Sequence, residues 1–126
     1  VTDMIRDIRV IPAMIKARNP FVIACEIKDS ASKREKGFQR VIAHDATQPI
    51  ILLWEYAAVR LLHNDNVKFD VKALVVDHNG YVQQQFTLKS GDAIPVMTSP
   101  TKMIIEIPEH LEGVTIELGD RVQYRD

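Results

Sequence analysis

The stretch HNDNVKFDVKALVVDHNG, residues 63–80, sets His63, Asp65, Asp70, Asp77 and His78 around an apolar run. Imidazoles and carboxylates at such spacing could bind a metal ion or pass a proton. A metal would need three or four of these side chains to converge. In an extended segment alternate residues share a face, so His63 and Asp65 point together, whereas Asp70 faces the other way unless a turn at Asn66 reverses the chain. The plainer expectation is that Asn64, Asp65 and Asn66 supply turn hydrogen bonds, and that Asp77 and His78 do so at a hairpin mouth. No metal and no cofactor is expected, and His63 and Asp65 are the residual candidates.

Nucleophilic catalysis has no motif here. Gly-x-Ser-x-Gly is absent, and Cys25, the single cysteine, alternates with Glu26 in a predicted strand. It reads as a buried thiol with no neighbour to lower its pKa, and it can form no intrachain disulfide. The five glycines are spaced as turns and make no phosphate-binding loop. No catalytic residue is assigned. Trp54 could pack in the core or offer a stacking surface to a ligand.

The elements that would hold these residues are mostly strands. Residues 5–17 show partial alternation of β-branched residues, and Pro12 suits an edge strand or a bulge, so residues 1–17 are expected to form an edge-strand arm. Phe21, Ile23, Cys25 and Ile27 mark one core face of a second strand. In DSASKREKGF, Asp29 or Ser30 can cap a helix, Ser32 with Glu35 has capping-box spacing, and Gly37 ends it, which predicts one short helix near residues 30–37. Residues 50–62 fit either helix or buried strand by periodicity alone. Val67–Val76 is a strand, Asn79-Gly80 predicts a type I′ hairpin turn, and Tyr81–Leu88 pairs back antiparallel. Met103–Ile107, Val114–Leu118 and Arg121–Tyr124 complete about eight short strands. This count predicts a mainly β fold: a small antiparallel β-barrel or half-barrel carrying one helix.

A chain of 126 residues suits a single domain spanning 1–126. Its net charge of −1, from 16 basic and 17 acidic residues, provides no field for a nucleic-acid backbone. The basic run Lys33, Arg34, Lys36 and Arg40 is interrupted by Glu35 and reads as a solvated helix face. No basic start followed by an apolar run opens the sequence, so no secretory signal is expected. Ile50–Leu62 carries Glu55 and Arg60 and is too short to span a bilayer. A soluble globular domain is the expectation.

Asp29-Ser30, Arg34, Gly37-Phe38 and Arg40 together resemble a bacterial and archaeal family known as domain of unknown function 192. Further features follow in the family's order: PIILLW, Asn66, VVDHNG, Pro100 with Ile104-Ile105-Glu106, and Gly119-Asp120-x-Val122. The resemblance covers about 100 residues, Phe21 to Tyr124, and implies a compact, mostly antiparallel β domain without an established activity. The chain departs from the family at Leu62-His63-Asn64 and at Asp70-Val71-Lys72, where the usual aspartate is either replaced by Lys72 or displaced by two residues to Asp70.

Two functions are carried forward. The first is a non-catalytic binding or assembly module that contacts a protein partner or a second copy, as a subunit of a larger viral or secretory assembly would, with the Ile5–Ile15 arm as the exposed edge. The alternative is a small-molecule or saccharide binding protein, or a hydrolase, with a shallow polar cleft. Its ligand-binding candidates are Arg34, Arg40, Trp54, Asn66, Asp70 and Lys72, and it requires several of them to converge.

Overall fold

The computed structural model describes residues 4–13 and 18–125. Strand β1 (Ile5–Ile11) stops at Pro12, which has no N–H to donate to a ladder. After β2 (Phe21–Lys28) the chain enters helix α1 (Ala31–Lys36). Ser30 is its cap, accepting the Lys33 N–H on Oγ at 3.3 Å, and Gly37, at φ 44°, ends it by donating its N–H to the Lys33 carbonyl at 3.0 Å. A 3-10 turn at Ala43–Asp45 leads to β3 (Ile50–Ala58) and the short β4 (Leu61–Leu62). Then come β5 (Val71–Val76), β6 (Val82–Leu88), β7 (Val96–Met97), β8 (Thr101–Pro108) and β9 (Arg121–Tyr124).

Seven strands form one sheet in the order β6-β5-β8-β3-β2-β1-β9, and β4 pairs with β7 in a separate ribbon. The central strands are apolar on both faces. Ile8, Cys25, Ile27, Ile51, Leu74 and Ile105 fill one side, while Ile50, Leu52, Val71, Ala73, Val75 and Ile104 fill the other beneath Phe38. Burying one such aliphatic side chain contributes roughly 1.5–3 kcal/mol. Two-sided burial explains why IILLW runs without alternation and resolves the helix-or-strand ambiguity of residues 50–62 in favour of strand.

The mainly β class, the short strands and the single short helix among the described residues agree with the sequence reading. Four details differ. First, the sheet is mixed: β2 and β3 run parallel, with Glu26 opposite Ile50 and Lys28 opposite Leu52. A parallel pair needs a crossover connection, and residues 29–49, with α1, provide it. Second, the sheet is not closed as a barrel; beside its edge strands the described residues make one isolated bridge, Tyr81–Arg121, with Val82 hydrogen-bonded to Gly119 and Asp120. Third, β1 is no edge, because β2 flanks it on one side and β9 on the other. The described part of the supposed arm is therefore tucked into its own sheet, and residues 1–3 and 14–17 lie outside the described residues. Fourth, Val114–Leu118 forms no strand, although Ile116 is buried.

The β5–β6 hairpin also departs from type I′. Only Gly80 has positive φ, at 89°, and Asp77 organises the loop by accepting the Asn79 and Tyr81 N–H groups on Oδ1, each at 2.9 Å. This is the three-residue hairpin in which a left-handed glycine follows a tight turn. Glycine is required for a second reason: a Cβ there would lie 2.7 Å from the Val122 carbonyl oxygen of β9.

The approach to β9 is held by Asp120, which is 0% exposed. Its carboxylate accepts Arg18 Nη2 on both oxygens at 2.8 Å, the Ala13 N–H at 3.1 Å and the Glu117 N–H at 2.9 Å. Burial alone would raise its pKa, but these hydrogen bonds and the Arg18 charge outweigh burial and hold it below the usual aspartate range.

Candidate functional site

The crossover arches over one face of the sheet and leaves a cleft of ≈ 320 Å³ between α1 and β3. Gly37 and Phe38 form one wall, Leu52 and Trp54 the other, and His63, Asn64 and Asp65 close one end. Glu106 projects from β8, where its neighbours in register are Ile50 on β3 and Ala73 on β5. It is only 8% exposed, yet its carboxyl makes no hydrogen bond or ion pair with any described residue. Burial without compensation disfavours the charged form and pushes its pKa up to about 7.

Arg34 and Trp54 border the cleft, and Arg60, which does not line it, joins Arg34 against the Trp54 ring; the guanidinium carbons lie 5.3 Å (Arg34) and 4.2 Å (Arg60) from its centroid. Arg34 reaches this position from α1 by donating Nη1 to the Leu53 carbonyl at 2.7 Å. Arg60 donates Nε to the Thr101 carbonyl at 3.3 Å and Nη2 to the Tyr56 carbonyl. Burial and the nearby Arg34 charge both lower the Arg60 pKa.

Of the residues singled out in sequence, Arg34, Trp54, His63 and Asp65 border this cleft. His63 and Asp65 do point outward together, and the Asp65 N–H donates to His63 Nδ1 at 3.2 Å. Asn64 between them turns inward, where Nδ2 serves the Phe69, Leu88 and Lys89 carbonyls at 2.9, 3.1 and 3.1 Å. No three His, Cys, Asp or Glu side chains among the described residues group to hold a metal.

Arg40, Asn66, Asp70 and Lys72 do not join the cleft. Arg40 and Asn66 both have positive φ, 63° and 60°, and the Arg40 N–H donates to the Asn66 carbonyl at 3.0 Å, so they form a structural turn. Asp70 accepts the Ser90 N–H at 2.8 Å and Lys89 Nζ at 3.4 Å; the Ser90 bond leads the causes that lower its pKa. Lys72 sits within β5 between Thr87 and Ile107, on the opposite strand face from Val71 and Ala73. The convergence expected of Arg34, Arg40, Asn66, Asp70 and Lys72 is not found. Nor is the basic run simply a solvated face, since Arg34 is half-buried against Trp54. Cys25 is a buried thiol as expected, its pKa raised to about 12 by burial and by the Asp7 charge.

Sequence reasoning missed Glu106 and Arg60 as site residues. Glu106 carries a signal: a lone acid in the apolar run MIIEI, within a strand buried on both faces, is the kind of polar residue that warrants a reason. Arg60 carries none, because only the turn after β3 brings it back to Trp54.

The fold has solved counterparts. A protein described as a "putative transcription regulator" from Sinorhizobium meliloti superposes with a TM-score of 0.84 over 98% of this chain and 96% of its own, at 12% identity. A protein of unknown function from Novosphingobium aromaticivorans gives 0.79 over 94% of this chain and 84% of its own, at 18% identity. No protein-family model and no curated protein matches the sequence. No helix among the described residues is long and apolar enough to cross a membrane. At these identities the two likenesses establish a shared fold.

Proposed function

We propose that the domain is a non-catalytic binding module whose α1–β3 cleft receives a small polar molecule bearing hydrogen-bond donors, with saccharides the best-matched class. Glu106 carries this reading. Its carboxyl lies on the cleft floor, 8% exposed and without a protein partner among the described residues, and a ligand hydroxyl that replaces water there can donate to it. Arg34 and Lys36 on the rim are balanced by Glu35 and Asp65, so the cleft mouth does not select strongly for charge. Trp54 adds apolar aromatic surface to the cleft lining. A thermal-shift screen of neutral monosaccharides against the native protein and Glu106→Gln tests it. Stabilisation of the native protein that is lost in the variant supports the reading, and the absence of any stabilising sugar rejects it.

A second reading, a protein-contact or assembly role, rests on a different surface. On the β4–β7 ribbon Leu61 lies opposite Met97, and the two are 62% and 67% exposed, with Ile94 at 75% nearby in the chain. Paired exposed apolar residues of this kind favour a protein partner or a second copy. Light scattering on the native protein and on Leu61→Ser/Met97→Ser distinguishes them: a dimer that the variant abolishes supports self-association, and a monomer in both excludes it.

Membership of the domain of unknown function 192 family is likewise our proposal. Its support is the ordered motif set, whose members fall at the α1 cap and its Gly37 end, on β3, at the β5–β6 hairpin, on β8 and at the turn into β9. Intermediate homologues with aspartate in place of Lys72 would test it.

A further inference from the structure

A second hollow of ≈ 470 Å³ lies beside the first and is lined by Arg34, Trp54, Tyr56 and Arg60 together with the carboxylates Asp29 and Glu55. Its chemistry differs from that of the Glu106 cleft. Two guanidiniums are brought against one indole, close enough for the charge of one to bear on the other. Like charges are normally separated or neutralised, yet neither Arg34 nor Arg60 forms an ion pair with a carboxylate among the described residues. Both are held in place by backbone carbonyls, Leu53 for Arg34 and Thr101 and Tyr56 for Arg60. These contacts fix the two forks without cancelling their charge. A guanidinium has five N–H donors, and the carbonyl bonds use one on Arg34 and two on Arg60.

We propose that this hollow is an oxyanion site for a phosphate monoester, bridged by Arg34 and Arg60 at the edge of Trp54. Asp29 and Glu55 line the hollow without ion-pairing to either arginine, which leaves both guanidinium forks open to an anion, and planar N–H forks suit phosphate oxygens better than ammonium groups do. The site goes beyond the saccharide reading and stands without it, because it uses neither Glu106 nor a hydroxyl.

Trp54 is the only tryptophan in the chain, so its fluorescence reports on the site directly. Inorganic phosphate is titrated into the native protein at low ionic strength, with sodium chloride at matched ionic strength and sodium acetate as parallel arms. The expected result is a saturable emission change with phosphate, a weaker one with acetate and none with chloride. Arg60→Gln and Arg34→Gln each weaken the phosphate midpoint at least tenfold. Arg60→Lys, which keeps the charge but loses the fork, gives an intermediate midpoint and remains informative if Arg60→Gln does not fold. A flat phosphate titration, equal responses to phosphate and chloride, or midpoints unchanged in the variants would overturn the assignment. A phosphate response that persists in Glu106→Gln separates this site from the saccharide cleft.

Discussion

Replacing Glu106 by Gln removes the titrating group from the cleft floor while keeping its shape. In the folded protein this carboxyl ionises near pH 7, against an ordinary value of 4.5. At about 1.4 kcal/mol for each pH unit between them, the folded state is penalised by roughly 3 kcal/mol once the group is fully ionised. The sign follows from proton binding. Because the folded state holds the proton more tightly, the contribution of Glu106 is fully present below its unfolded pKa and is lost as pH rises through the folded value. The native protein and Glu106→Gln should therefore differ by a constant amount below pH 4.5, and the variant should gain about 3 kcal/mol on the native protein by pH 8. Urea denaturation of both proteins at half-unit intervals from pH 4 to about 8.5 measures this difference, from which shared titrations cancel. A difference that stays constant across the range would refute the reasoning. A native protein that gains on the variant as pH rises would mean that the carboxylate has a stabilising partner.

Other perturbations follow from the same structure. Asp120→Asn breaks the buried contact with Arg18 and should cost about 3–5 kcal/mol at neutral pH by denaturant melts. Because the folded pKa of Asp120 is depressed, that advantage is present above the ordinary aspartate range and disappears only as acid protonates the folded carboxylate; an unchanged midpoint would show that the cluster is dispensable. Gly80→Ala places a Cβ against the Val122 carbonyl at positive φ and should cost about 2 kcal/mol or more, read as a lowered Tm. Cys25 should resist a thiol reagent at pH 8 in the native protein and react fully in denaturant, and fast native labelling would contradict its burial.

Local signals in the sequence were legible where one residue decides the outcome. Ser30 and Gly37 bound α1 as expected, and Pro12 ends β1. The β5–β6 pairing was legible too, but its turn type was not, because the demand on Gly80 comes from β9, forty residues onward in the chain. The parallel β2–β3 pair was hidden for the same reason: no residue in either strand encodes which neighbour it will meet. The site shows the same division. Arg34 and Trp54 were identified singly, one as a polar family-like position and the other as an aromatic of uncertain place. Their contact arises because the crossover sets α1 beside the end of β3, and that arrangement also admits Arg60. Asn66 was read as a turn residue and is one, whereas Lys72 drew attention through its family position and faces away from the cleft.

The placement of β9 bears on how the chain is made. Arg121–Tyr124 pairs with Ile8–Ile11, so β1 waits for a segment synthesised more than a hundred residues after it. While the chain grows from its N-terminal end, β1 can engage β2 but keeps one row of backbone groups unpaired until β9 emerges. An uncovered strand edge of this kind recruits other chains. The vulnerable interval is therefore the one before β9 has emerged, and a nascent chain stalled before residue 121 should aggregate although its hydrophobic interior is nearly complete.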